Sequence, residues 1–438
     1  MAETQTRPHR VEEHYGMPVF VELRELPELP DRPSEVADKN VPEGKYFRAG
    51  AAKVDVTPTD FSNVKSLGGF LKLPPTGVHD HLFTRVVILD NSDDKIAIVS
   101  WDRINSASWE EIEMVRKGIH ERTGIAEDHI LINCTHTHAG CESNFAEAAI
   151  EAAAKAWENM KDARIGIGSK MIYGIGSSRR LPDGTGLWGA NQPNPEAVMD
   201  NECGVIRIED YDRNIIAVIS NYSSHPSVIA GDNSLISGDY AGIGTQEIEN
   251  RLGGDAVAMF LQGCAGDTGT HTFRDSRTIP EAEKLGKRFA DAVLDILEHI
   301  DVVSWVPIAA KNKIIELPAK KYDPDRPTVP PITPETKSIR DEIQAIVIND
   351  AVIASLGSME PYVELGLMIK DKSPFKHTFT LGYSNGPWLG YLPSPHGFAV
   401  KDPDAEGEAR THFSSEAPEF LVNEVLKLIQ EVKQSLPA

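Results

Sequence analysis

Two imidazoles one residue apart open the chemical reading. Cys134-Thr135-His136-Thr137-His138-Ala139-Gly140 follows directly on the apolar run His129 to Asn133. If that run is a strand and its tip stays extended, side chains two apart project to the same side. His136 and His138 then converge, with Thr135 and Thr137 facing away. Such a pair can supply two metal ligands, or one ligand and one proton-transfer group. Two histidines hydrogen-bonded on a loop leave the same signature, so the segment gains weight only from its neighbours. Ser224-His225-Pro226 stands at the end of another β-branched run, Ile215 to Asn221, and enters a Gly/Asp loop from Gly231 to Tyr240. Turn geometry alone accounts for Pro226 and Gly231, while a strand's carboxyl end is also where an α/β protein places its chemistry. Gln262-Gly263-Cys264-Ala265-Gly266-Asp267-Thr268-Gly269 follows a third run, Ala256 to Leu261. Its glycines permit close backbone approach to a ligand. Three polar loops on three apolar runs make a pattern that single motifs lack. Arg179-Arg180, after Gly174-Ile175-Gly176-Ser177-Ser178, can clamp an anion or stabilise an oxyanion; a pair of surface arginines is the common alternative.

The elements that must position these residues alternate between strand and helix. Short β-branched runs at Ala52 to Val56, Arg85 to Leu89 and Ile96 to Ser100 read as strands. Ser108 with Glu111 three residues on is a capping box. It opens a helix with Ile112, Val115 and Ile119 on one face, and Gly124 stops it. Phe145 to Met160 is an Ala-rich helix, and strands are expected at Arg164 to Ile167 and Gly204 to Ile208. Glu281 to Ile300 is amphipathic, with Leu285, Phe289, Val293, Ile296 and Ile300 inward. The proline-rich stretch at about 318–334 reads as an insertion. After it come a helix around Ile339 to Leu356, strands at Tyr362 to Ile369 and His377 to Leu381, and a terminal helix from about Glu416. The expected fold is therefore α/β, a mixed β-sheet core flanked by helices with the site on strand-end loops. Residues 1–48, polar and rich in Pro, Glu and Arg, read as an N-terminal arm. Residues 49–438 read as a single domain.

Composition narrows the function classes. The 438 residues carry 66 acids against 44 bases, a formal charge of −22, which repels nucleic acid and anionic membrane surfaces. The four cysteines, Cys134, Cys141, Cys203 and Cys264, have no C-x-x-C spacing and read as free thiols. The first ten residues contain no apolar signal core. Apolar runs fall far short of the ~20 residues a transmembrane helix needs. A cytoplasmic location is the expectation, and nothing indicates oligomeric state.

Taken together, the order of these motifs resembles the neutral, non-lysosomal ceramidase family. His136-Thr137-His138, the Arg179 loop, His225 before Ser237-Gly238-Asp239, and Gln262-Gly263 with Gly266-Asp267 occur in the family's order, as does Gly77-Val78-His79-Asp80. The similarity spans roughly residues 50 to 400. It implies one zinc ion held by two histidines, a glutamate and a tyrosine. Carried over, these are His136, His225, Glu360 in Ser358-Met359-Glu360-Pro361-Tyr362, and Tyr391 in Trp388-Leu389-Gly390-Tyr391. Glu364 competes for the glutamate's place, within the expected strand. The resemblance makes His138 the proton donor and acceptor and Arg179 the second catalytic group. Gly269-Thr270-His271 departs from the family's Ser-Pro-Asn run, Pro403 stands where a second tyrosine is expected, and the family's C-terminal β-sandwich has no counterpart.

The implied chemistry is zinc-assisted hydrolysis of an amide, ceramide-like or another small amide or ester, so the expected partner is a small-molecule or lipid-like substrate. A metal-dependent lyase or isomerase acting on a carbonyl or sugar-acid substrate uses the same groups, with His138 abstracting a carbon-bound proton. A non-catalytic metal-binding protein is the third reading.

Overall fold

A computed structural model describes residues 10–14, 17–21, 26, 28–29, 41–66, 71–106, 108–179, 198–229, 233–270, 276–325, 332–401 and 410–436. Its centre is an eight-stranded mixed sheet. In spatial order the strands are Val257–Gln262, Ile215–Tyr222, Glu202–Asp210, Lys161–Met171, Arg48–Asp55, Phe83–Asp90, Lys95–Trp101 and Ile130–Cys134. The outermost pair at each edge is parallel, and every pairing between them is antiparallel. A smaller sheet runs Ile308–Pro318, Ser338–Ile348, Ala351–Ser355, His377–Leu381, again with its last pair parallel.

Four layers result, because each sheet buries both faces. Helices Trp109–Thr123 and Phe145–Glu158 cover Val86, Ile88, Ala97, Val99, Ile130 and Ile132 on one half of the large sheet. Helices Asp239–Leu252 and Ile279–Glu298 cover Val205, Val218, Ala258 and Phe260 on the other. The opposite face, with Val87, Leu131, Ile206, Ile219 and Met259, meets Ile346, Ile348, Ile353 and Phe379 of the small sheet. Helices Val363–Lys372 and Ala417–Ser435 close the far side over Ile343, Ala345, Val347 and Val352. The expected α/β class, with sheets flanked by helices, holds.

Several local readings hold as well. Ser108 is the N-cap and accepts from the Glu111 amide, and Gly124 ends that helix at φ 71°. The four cysteines are free and buried. Three readings need correction. Ile339 to Leu356 is not a helix but a hairpin, Ser338–Ile348 with Ala351–Ser355, turning at Asn349-Asp350. Asn349 takes φ 57°, the left-handed turn conformation that a two-residue hairpin loop favours. Alternation is invisible there because both faces are buried, one under helices and one under the large sheet. Tyr362 to Ile369 is not a strand; the chain forms the helix Val363–Lys372, buried almost all round. Its first N–H, on Val363, is capped by the Asp267 carboxylate at 2.8 Å, a partner that is remote in sequence. The proline-rich stretch is not wholly irregular, since Pro318 ends the unanticipated strand Ile308–Pro318; residues 326–331 lie outside the described set. Two short strands, Arg10–His14 and Met17–Val21, pair antiparallel within residues 1–48.

Candidate metal centre

Strand ends deliver the site. Ile130–Cys134 leads to His136 and His138, Ile215–Tyr222 to His225, Ala351–Ser355 to Glu360, and His377–Leu381 to Tyr383. His136 and His138 do meet, with ring centroids 4.9 Å apart, but not because the tip is extended. His136 sits at φ 67°, a left-handed kink pinned by its own N–H to the Arg103 carbonyl at 2.9 Å. For a residue with a Cβ that conformation is uncommon and needs surrounding structure to hold it.

Three donor atoms crowd one point. His136 Nε2 lies 3.1 Å from His225 Nε2, and Glu360 Oε2 lies 3.3 and 3.1 Å from those two nitrogens. All three residues are buried. The outer nitrogens are already committed: His136 Nδ1 bonds the Ile104 carbonyl at 2.8 Å, and His225 Nδ1 the Ala265 carbonyl at 2.6 Å. A carbonyl only accepts, so each Nδ1 carries the proton and, in the neutral ring, each Nε2 turns a lone pair inward. Two lone pairs and a carboxylate oxygen facing each other at this distance call for a cation or a shared proton between them. The triangle fits a metal, since two ligands ~2.0–2.1 Å from a tetrahedral zinc stand about 3.3–3.4 Å apart. His/His/Glu is an ordinary zinc set, and imidazole rings oriented by backbone carbonyls are its usual support.

The electrostatics agree with that geometry. Burial, together with the neighbouring His136, lowers the His225 imidazole to about 4, so it is neutral at pH 7. Burial alone would raise Glu360, but attraction to the His136 and His225 side holds it well below the usual carboxylate range. That lowering takes positive charge among the three groups, such as a proton or a metal ion supplies. Its other oxygen, Oε1, accepts from Trp388 Nε1 at 2.8 Å, and the Tyr383 hydroxyl reaches Oε2 at 3.4 Å. Tyr383 also packs its ring on His136, with centroids 4.2 Å apart.

Of the remaining expected residues, His138, Tyr391 and Arg179 connect to this centre, directly or through one neighbour. A His138 ring nitrogen lies within 4.8 Å of those of His136 and His225, so the three histidines form one possible ligand group. Tyr391 stands directly across from Glu360 in the two-residue ladder Glu360–Pro361 with Tyr391–Leu392. Arg179 lies over the Tyr391 ring at 5.4 Å. The Arg179 amide donates to the Asp267 carbonyl at 2.9 Å, and its guanidinium bonds the Gly266 carbonyl. Although burial opposes its charge, Tyr391, Tyr362 and Glu360 keep that guanidinium firmly cationic. Arg180, His271 and Pro403 lie outside the described residues. Glu364 is not at the centre: it belongs to the helix Val363–Lys372, where burial pushes its carboxyl to about 7, partly countered by a bond with Ser394.

Sequence reasoning missed Tyr383 and Trp388. Tyr383 follows the strand His377–Leu381 by two residues, so the rule that flagged the histidines would have flagged it. Trp388 carries no local signal, because its contact with Glu360 exists only once the two loops meet.

The fold and site define a protein of ceramidase-like architecture. Over 90% of its length the chain superposes on neutral ceramidase from Pseudomonas aeruginosa, with a TM-score of 0.73 at 16% identity, covering 75% of that chain. A ceramidase complexed with C2 gives 0.71 at 14% identity, covering 90% of this chain and 76% of that one. In sequence the chain is 26% identical to neutral ceramidase A of Dictyostelium discoideum over a 228-residue alignment that covers 45% of this chain. The match spans 32% of that relative. No family model matches. The resemblance to neutral ceramidases read from the motifs therefore holds in fold and in sequence.

Proposed function

We propose that the chain is a hydrolase dependent on a single zinc ion, cleaving an amide of the ceramide-like N-acyl class or a related small amide or ester. The observation that carries the reading is the inward triangle of His136 Nε2, His225 Nε2 and Glu360 Oε2, with both histidine tautomers fixed from outside. Similarity to proteins named neutral ceramidase supports the amide class. His136, His225 and Glu360 would hold the ion, with Tyr391 as the fourth protein ligand. Zinc in such a set supplies a Lewis acid for the scissile carbonyl and lowers the pKa of water toward ~7. His138 takes the proton from the attacking water and returns it to the leaving amine. Arg179, kept cationic by its neighbours, offsets the negative charge that grows on the carbonyl oxygen.

Metal analysis of protein grown with ample zinc, followed by an amide and ester panel that includes ceramide, tests this. About one equivalent of zinc, and product carrying solvent oxygen from ¹⁸O-water, are expected. Turnover without solvent oxygen in the product would move the assignment to a lyase or isomerase. Protein with less than about a tenth of an equivalent of any transition metal would sink it.

A further inference from the structure

We propose that Gln262 is a positioning residue that sets the spacing of the two histidine loops, an inference that rests on the metal reading above. Gln262 is the last residue of the strand Val257–Gln262 and is fully buried. Its Nε2 donates to the Thr135 carbonyl at 3.2 Å and to the Ser224 carbonyl at 3.0 Å. Those carbonyls belong to the residues immediately ahead of His136 and His225, so one amide nitrogen bridges both loops. Its Oε1 accepts from the Gly263 amide at 3.0 Å, which fixes the end of the amide that faces the carbonyls.

The strand tip beneath this amide is itself tied down. The Gln262 backbone N–H donates to Asn133 Oδ1 at 2.8 Å. Asn133 Nδ2 reaches the Gly382 carbonyl at 2.8 Å and Ser384 Oγ at 3.0 Å, on either side of Tyr383. Gln262 thus stands at the junction of the segments that carry His136, His225 and Tyr383. The chemistry is specific: spanning two carbonyls from one neutral atom takes an NH₂ group, which a primary amide provides and a thioether lacks. The Ser224 carbonyl also accepts from the Tyr240 hydroxyl at 2.7 Å, so losing the amide chiefly removes the link to Thr135.

The test measures zinc affinity of the full chain by competition with a chromophoric chelator, alongside its unfolding in urea. Gln262→Met keeps length and removes both donors. Asn221→Leu is the control, because Asn221 Nδ2 also donates to a buried carbonyl, Leu261 at 3.0 Å, one register step below the Tyr222–Gln262 pair. Gln262→Met is expected to weaken zinc binding about 10- to 100-fold, the usual range for groups that orient metal ligands. Asn221→Leu is expected to lower stability yet leave zinc affinity within about threefold. Should Gln262→Met fail to fold, Gln262→Asn, which keeps both donors but falls one methylene short, is expected to show the same weakening. Tight binding by the wild type and an equally tight Gln262 variant would overturn this inference alone, as would an equal loss in the control. A wild type that binds no zinc would overturn the metal reading, and this inference with it.

Discussion

Trp388 holds one oxygen of Glu360 and leaves the other to the histidines. The indole N–H donates to Oε1 at 2.8 Å, while Oε2 stands 3.1 and 3.3 Å from the two imidazole nitrogens. An ionised carboxylate can offer both oxygens, so an indole fixed on one of them favours one-oxygen contact at the centre. Trp388→Phe keeps an aromatic ring and removes the donor. Zinc affinity is expected to fall about tenfold, at the lower end for an outer partner of a ligand, as read by chelator competition. An unchanged affinity would reduce Trp388 to a packing residue.

The two histidines should be indispensable to metal retention. Replacing His136 or His225 by Ala leaves two inward donors where there were three. Bound zinc in the purified variants is expected to drop below about a tenth of an equivalent by elemental analysis. His138→Ala separates ligation from proton transfer. If His138 only moves protons, the metal stays and the rate falls about 10²- to 10⁴-fold, the usual contribution of a positioned acid–base group. Loss of zinc from His138→Ala would instead make all three histidines ligands.

Arg179 should matter to the rate far more than to the metal. Arg179→Ala is expected to lower kcat about 10²- to 10³-fold, with zinc content unchanged. Arg179→Lys should restore little, since a point charge on a flexible stem does not reproduce a planar guanidinium packed on Tyr391 and bonded to the Gly266 carbonyl. A kcat within threefold of wild type for Arg179→Ala, in steady-state assays on the best amide found, would remove it from the machinery.

How far the sequence revealed this arrangement depended on which contacts were local. The helix opened by Ser108 and closed by Gly124 was legible because both cap signals lie in the adjacent chain. His136 and His225 were legible because each follows an apolar run, and they end 3.1 Å apart. The reason first given for the pairing of His136 and His138 failed, since the kink at His136 depends on the Arg103 carbonyl. The helix Val363–Lys372 read as a strand because packing on most sides erases its period, and its cap is a carboxylate nearly a hundred positions earlier, Asp267. The hairpin of Ser338–Ile348 with Ala351–Ser355 read as a helix for the mirrored reason, being apolar on both faces. Cap residues and strand-end polar residues could be read from the chain itself, whereas periodicity failed wherever packing covers an element on both sides.

The interior also carries a pH dependence that the site does not use. Burial raises the Asp341 carboxyl to about 7, with the neighbouring Glu342 adding to the rise. The amide and hydroxyl of Ser358, at 3.0 and 3.1 Å, offset only part of it. The adjacent Glu342 is itself paired with Arg116 at 2.6 Å. In the unfolded chain an aspartate titrates near ~3.9, so between about pH 4 and 7 the folded state holds a proton that the unfolded state has lost. Stability from this group is therefore complete below about pH 4 and disappears as pH rises through 7, with a slope of up to ~1.4 kcal/mol per pH unit. Asp80 and Glu364, each also pushed to about 7 by burial, act in the same direction. Urea unfolding at a series of pH values from 5 to 8 should show declining stability. In Asp341→Asn, which keeps the side chain neutral at every pH, the decline should be shallower by roughly one group's share. Parallel curves for wild type and variant would mean that Asp341 is ionised in the folded protein and that burial does not control its proton.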